Sequence, residues 1–143
     1  LKIGMDESLP SKERCLSPSD FGFHNAILEN DKELRFIDFE YAGWDDPAKM
    51  ICDFFCQPEV PVPLEYFSRF LHEIHKALND PEYFKNRVNL LFPVHKIKWC
   101  CIMLNDFLPV DSQRRNFASN HTDNRKAQLA KARNYFRKVL LSK

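Results

Sequence analysis

Between Ser17 and Asp46 the pattern of the chain changes in a way that few local structures accommodate. A polar loop, Ser17-Pro18-Ser19-Asp20-Phe21-Gly22-Phe23-His24-Asn25, leads into a short apolar run, Ala26-Ile27-Leu28. Asn30-Asp31 then tolerate the backbone angles of a tight turn, and a second apolar run, Leu34–Phe39, carries Asp38 near its end. The segments 26–29 and 33–39 are therefore expected to pair as an antiparallel hairpin. Asn25 begins one strand and Asp38 closes the other, so the pairing sets those two ends side by side.

Asp20, Asn25 and Asp38 are thus three oxygen-bearing side chains that one hairpin and its leading loop bring together. Mg²⁺ takes hard oxygen ligands at roughly 2.0–2.1 Å, commonly one or two carboxylates completed by phosphates and water. Asp38 is the expected main ligand and Asn25 the second, with Asp20 placed to accept a proton from a substrate hydroxyl. Each residue alone is ordinary: Asp20 suits a turn or cap, Asn25 a strand start and Asp38 a solvated strand end. Asp111 and Asn116 repeat the first spacing with no strand after them. Loop, hairpin and second carboxylate together point to metal-assisted phosphoryl transfer.

This stretch resembles the catalytic and metal-binding region of the aminoglycoside phosphotransferase and choline kinase superfamily, the small-molecule relatives of protein kinases. Members typically read His-Gly-Asp-x-His-x-x-Asn, then a hairpin, then Ile-Asp-Phe/Trp-Glu, then Gly-Asp-Pro and a helix. Here Asp20, Asn25, Ile37-Asp38-Phe39-Glu40 and Asp46-Pro47-Ala48 carry the likeness, which spans Ser17–Phe54. The resemblance implies Asp20 as catalytic base, Asn25 and Asp38 as Mg²⁺ ligands, and ATP as phosphoryl donor. It implies an α+β, mainly α fold: the C-terminal lobe of a protein-kinase-like fold, a β-hairpin packed on a helical bundle. Pro18 replaces the pattern's first histidine, so a supporting hydrogen bond is lost or supplied elsewhere. Gly22 and His24 stand where His and Gly are usual. Met50 takes the place of a helix aspartate, with Asp53 three residues on.

The 143 residues suffice for one domain with a real core. With only three glycines, the chain has no Gly-rich phosphate loop, and no strand lysine for nucleotide phosphates is recognisable. The expectation is a single C-terminal lobe over 1–143, with a nucleotide-binding N-lobe preceding Leu1 and the isolated lobe inactive. Its parts are a leading segment 1–16, the loop and hairpin 17–46, and a helical subdomain 47–143. No apolar run approaches a membrane span and no signal peptide is visible. The five cysteines show no paired Cys-x-x-Cys spacing and read as buried small hydrophobes in a reducing cytoplasm, with a zinc site as the other reading. Arg114–Lys143 holds nine Lys/Arg and one Asp, net +8; the first 113 residues hold twelve basic and nineteen acidic residues, net −7. Such asymmetry can mark a partner. No aromatic-basic alternation suggests nucleic acid.

Downstream, Asp46-Pro47 supply a cap and first-turn proline for a helix 48–57. Pro58–Pro63 is an extended connector, either a linker or a wall of the acceptor pocket. Helices are expected at 64–78, from Asp80-Pro81 to a break or kink at Phe92-Pro93, at 93–107, and at 123–141 capped by Thr122. His72 and His75 lie three apart without a third ligand, which suits surface histidines better than a metal. Ile97–Leu104, apolar nearly all round, is expected to be the central buried segment, touching Phe54, Phe70 and Ile74. The function that follows is transfer of the ATP γ-phosphoryl group to a small-molecule hydroxyl. The acceptor could be a sugar, a choline-like alcohol held by the Phe39–Trp44 aromatics, or an aminoglycoside-like molecule, the last disfavoured by the basic tail. The alternatives are a non-catalytic pseudokinase-type binding module on the same fold and a helical interaction domain.

Overall fold

The computed structural model describes residues 8–30, 32–76, 80–108 and 125–141, and the chain divides into two units, Leu1–Phe92 and Pro93–Lys143. It is α+β and mainly helical, with two small antiparallel sheets. Strand β1 (Cys15–Ser17) pairs with β4 (Gly43–Asp45), and β2 (Ala26–Glu29) with β3 (Glu33–Phe36). The principal helices are α1 (Pro47–Cys56), α2 (Phe67–His75), α3 (Pro81–Met103) and α4 (Arg125–Phe136).

Helix α1 is the centre of the first unit. Asp46 caps it, its Oδ1 accepting the Ala48 N–H at 2.8 Å, and Pro47 takes the first position, where no donor is needed. Only Lys49 and Met50 of this helix escape burial. Ala48, Ile51, Cys52, Phe54 and Phe55 form one core with Phe84 and Val88 of α3, and Phe67, Phe70, Leu71 and Ile74 of α2 pack against it. An Ile, Val or Phe side chain contributes about 1.5–3 kcal/mol when fully buried. The thiols of Cys52 and Cys56, one turn apart, lie 3.8 and 3.9 Å from the carbonyls of Val88 and Phe92, also one turn apart. The connector after α1 is pinned by the buried Gln57, whose Oε1 accepts the N–H groups of Glu59 and Val60 at 2.9 and 3.0 Å.

The hairpin has the expected register, Ala26 opposite Phe36 and Glu29 opposite Glu33, with Asn30 in the left-handed conformation at the turn. Strand β3 ends at Phe36 rather than Phe39. Asp38 has φ 63°, which takes the backbone out of the extended region. The pairing of β1 with β4 is unforeseen: Cys15, Leu16 and Ser17 lie opposite Asp45, Trp44 and Gly43. It joins the start of the polar loop to the entry of α1.

Two expectations about the helices are corrected. Of the expected break or kink at Phe92-Pro93, the break is overturned: α3 runs through Pro93. Pro93 and Asn89 are both exposed, and the proline has no N–H to offer the Asn89 carbonyl. Ile97–Leu104 is not the central buried segment either. His95, Trp99, Cys100 and Met103 are buried, whereas Ile97 is 52% exposed and Cys101 is exposed. Its burial is a single stripe at 95, 99, 100 and 103; within the first unit, Phe54 meets Phe21, Phe23, Phe55 and Phe70. The second expected helix begins as a short 3-10 turn, Leu64–Tyr66, before α2. In the second unit, Lys96 Nζ donates to the Val139 carbonyl at 3.3 Å, and the described part of the last helix ends in a π turn, Arg137–Leu141. Thr122, Arg114-Arg115 and the Asp111/Asn116 pair lie outside the described residues. Among those residues, no helix is long and apolar enough to cross a membrane.

Candidate functional site

The loop between β1 and β2 is built by alternation. Gly22 is extended, with φ 177° and ψ 166°, so its neighbours Phe21 and Phe23 share one face. Phe21 stacks on Phe54 of α1 and meets Phe36 of β3, each at 4.9 Å between ring centroids. Phe23 meets Phe54 edge-on at 5.1 Å. These aromatic contacts anchor the loop to the core and leave Asp20, His24 and Asn25 at its rim. At the loop's start, the buried Ser17 accepts the Ser19 N–H on its hydroxyl at 3.1 Å.

Asn25 ties the three expected site residues together. Its side-chain Nδ2 donates to the Asp20 backbone carbonyl at 3.0 Å. Its own carbonyl accepts the Ile37 N–H at 2.9 Å, which holds the residue before Asp38 beside it. Asp20 and Asp38 are exposed and Asn25 is half-buried. With the amide nitrogen of Asn25 engaged, its Oδ1 remains as an acceptor on the other side of the group. Asn25 and Asp38 therefore offer hard oxygen donors of the kind Mg²⁺ prefers. No three His, Cys, Asp or Glu side chains converge into a metal-holding group among the described residues. A cation here would accordingly draw its remaining ligands from phosphate and water.

Two further residues act on this loop, His24 and Lys49, and sequence reasoning gave them no role. His24 Nε2 lies 3.3 Å from Asp20 Oδ2, a close approach that is an ion pair when the imidazole is protonated. Lys49 of α1 reaches the Ser19 carbonyl at 3.5 Å, hydrogen-bonds the Asp45 carboxylate, and lies 3.6 Å from Asp53 Oδ2. Burial opposes its charge, but the hydrogen bond to Asp45 and the charges of Asp45 and Asp53 outweigh it, holding the ammonium above the ordinary lysine range. Asp53 is 1% exposed, and a buried carboxylate beside a lysine one turn earlier forms an ion pair that the interior can hold. Burial, with Asp45 and Asp46 nearby, raises the Cys15 thiol, so it has little thiolate character. The i, i+4 spacing of Lys49 and Asp53 was a usable signal; the reach of Lys49 across to Ser19 had none. Asp46 completes the junction, accepting from Arg87 Nε of α3 at 2.6 Å.

The loop and the hairpin thus hold Asp20, Asn25 and the Ile37-Asp38 end of the second strand next to one another along the backbone, with Ser19 and Asp38 in left-handed conformation. Such an arrangement can take a proton from a hydroxyl and hold a hard cation. No family model, curated protein or solved structure significantly matches this chain.

Proposed function

We propose that this chain is the C-terminal lobe of an ATP-dependent phosphotransferase acting on a small-molecule hydroxyl. The observation that carries the reading is the tie of Asn25 to the backbone of Asp20 and of the residue before Asp38, through its amide to the Asp20 carbonyl and through its carbonyl to the Ile37 N–H. Asp20, exposed at the rim, orients the acceptor hydroxyl. As the hydroxyl oxygen bonds to the γ-phosphorus and the bond to the departing ADP oxygen breaks, its proton passes to the Asp20 carboxylate. Asn25 and Asp38 would hold Mg²⁺, which when bound neutralises negative charge on the phosphate oxygens. Phe39, Tyr41 and Trp44, all exposed beyond Asp38, offer aromatic faces to a choline-like cation, and a sugar or an aminoglycoside-like acceptor would use the same rim. Exposed apolar residues on both sheets support a covering nucleotide-binding lobe. Leu16 and its cross-strand neighbour Trp44 are 69% and 72% exposed, and Leu28 and Leu34 face each other in the open.

The test is transfer of phosphate from ATP to a panel of sugars, choline and aminoglycosides by the protein carrying both lobes. Asp20→Ala and Asp20→Asn are expected to lower turnover by about 10²–10⁴-fold with folding intact, the range of a lost general base. Asp38→Ala is expected to raise the Mg²⁺ concentration needed as well as to lower the rate. Near-wild-type turnover in both Asp20 variants would remove Asp20 from that role.

A further inference from the structure

We propose that His24 is a positioning residue that orients the Asp20 carboxylate, its imidazole occupying the volume that a side chain at position 22 would fill. The inference rests on the phosphotransferase reading for its catalytic consequence, though not for its geometry. Three observations carry it. First, His24 Nε2 sits 3.3 Å from Asp20 Oδ2, with the imidazole 15% exposed and the carboxylate 53% exposed. The ring is the more enclosed partner and the carboxylate the more exposed one. Second, a Cβ at Gly22 would lie 2.5 Å from His24 Nδ1, 2.6 Å from its Cε1 and 3.1 Å from Gln57 Cγ. Gly22 is extended, so what a side chain there would disturb is the present place of the His24 ring and not the backbone angle. Third, His24 and Asn25 are consecutive in one 3-10 turn and both reach back to Asp20, Asn25 to its carbonyl and His24 to its carboxylate.

Gly22 and His24 thus read as an exchange. Where the resembling pattern has a histidine at 22 and a glycine at 24, this chain moves the imidazole two residues along and clears position 22 to receive it. Phe21 and Phe23 make that possible, since their contacts with Phe54 fix the backbone between them while the opposite face stays open to the ring. A carboxylate held in one rotamer keeps its accepting oxygen aimed at the hydroxyl. One that swings freely is misplaced for much of the time, and misplacement by about 1 Å can cost up to about 10²-fold in rate.

The experiment compares His24→Ala, His24→Gln and the exchange variant Gly22→His/His24→Gly. The side-chain rotamer of Asp20 is read from three-bond couplings in the labelled chain at one fixed pH. Turnover of ATP is read in the protein carrying both lobes. The wild type, His24→Gln and the exchange variant are expected to hold Asp20 in one dominant rotamer, and His24→Ala to average it. His24→Ala is expected to lower kcat by about ten-fold or more with the KM for ATP within about two-fold, and the exchange variant to recover most of that loss. If His24→Ala does not fold, the comparison of His24→Gln with the exchange variant stands in its place. A single Asp20 rotamer in His24→Ala, or a folded exchange variant with averaged Asp20, would overturn the proposal. Absence of any phosphate transfer by the wild type would overturn the phosphotransferase reading, and the rotamer measurement would still decide the role of His24.

Discussion

Ser19 and Asp38 hold left-handed backbone, φ 72° and 63°, and they bracket the candidate site; the third such non-glycine among the described residues, Asn30, is the hairpin turn. Asparagine and aspartate tolerate this region through local hydrogen bonds, but for a serine it costs about 1–2 kcal/mol. Strain kept at a loop that also carries the expected site residues is the pattern of a functional position. Ser19→Gly is expected to stabilise the chain by about 0.5–1 kcal/mol in urea unfolding, and Ser19→Val to destabilise it. Lys49 gives a second test at this scale. Its pKa is raised on folding, so its stabilising contribution is complete below the ordinary lysine value of 10.5 and is lost as pH rises through the raised value. The stability gap between wild type and Lys49→Met should narrow above pH 10.5 and stay level below it. That Asn25 bonds to Asp20 and to Ile37, the residue before Asp38, was legible from spacing because a hairpin converts sequence distance directly into proximity. The contacts of His24 and Lys49 were not. The His24 contact depends on empty space at Gly22, and the Lys49 contact spans thirty positions of chain.

Among the elements, α1 carries the first unit. Its start was readable, since Asp46-Pro47 is a cap followed by a residue that needs no donor. Its centrality was disguised by Lys49 and Asp53, of which Asp53 is buried with the half-buried Lys49 ammonium 3.6 Å away. The opposite error befell Ile97–Leu104, where apolar composition suggested enclosure and one stripe is buried. Ile51→Ala is therefore expected to cost about 2–5 kcal/mol. Ile97→Ala should cost no more than about 0.5 kcal/mol, both read by denaturant unfolding. Asp46→Ala removes a cap, at about 1 kcal/mol, and also the partner of Arg87, so its loss should exceed that of a simple cap deletion. The β1–β4 pairing escaped sequence reading because three-residue strands are too short to show a period.

At the scale of the whole molecule, the two sheets present apolar side chains to solvent beside the very residues that the proposal makes catalytic. Leu16, Trp44, Ile27, Leu28, Leu34 and Ile37 are each more than two-fifths exposed, which favours a covering partner at that edge. The account stands or falls on whether that edge binds a hard cation through Asn25 and Asp38. The direct measurement is Mn²⁺, a paramagnetic stand-in for Mg²⁺, titrated into the ¹⁵N-labelled chain while its amide signals are followed. The account predicts that signals of Asn25, Ile37 and Asp38 broaden first, and that Asp38→Asn abolishes this preference while leaving the remaining spectrum unchanged. Broadening that begins at the exposed hairpin carboxylates Glu29 and Glu33, or that is unaffected by Asp38→Asn, would contradict it.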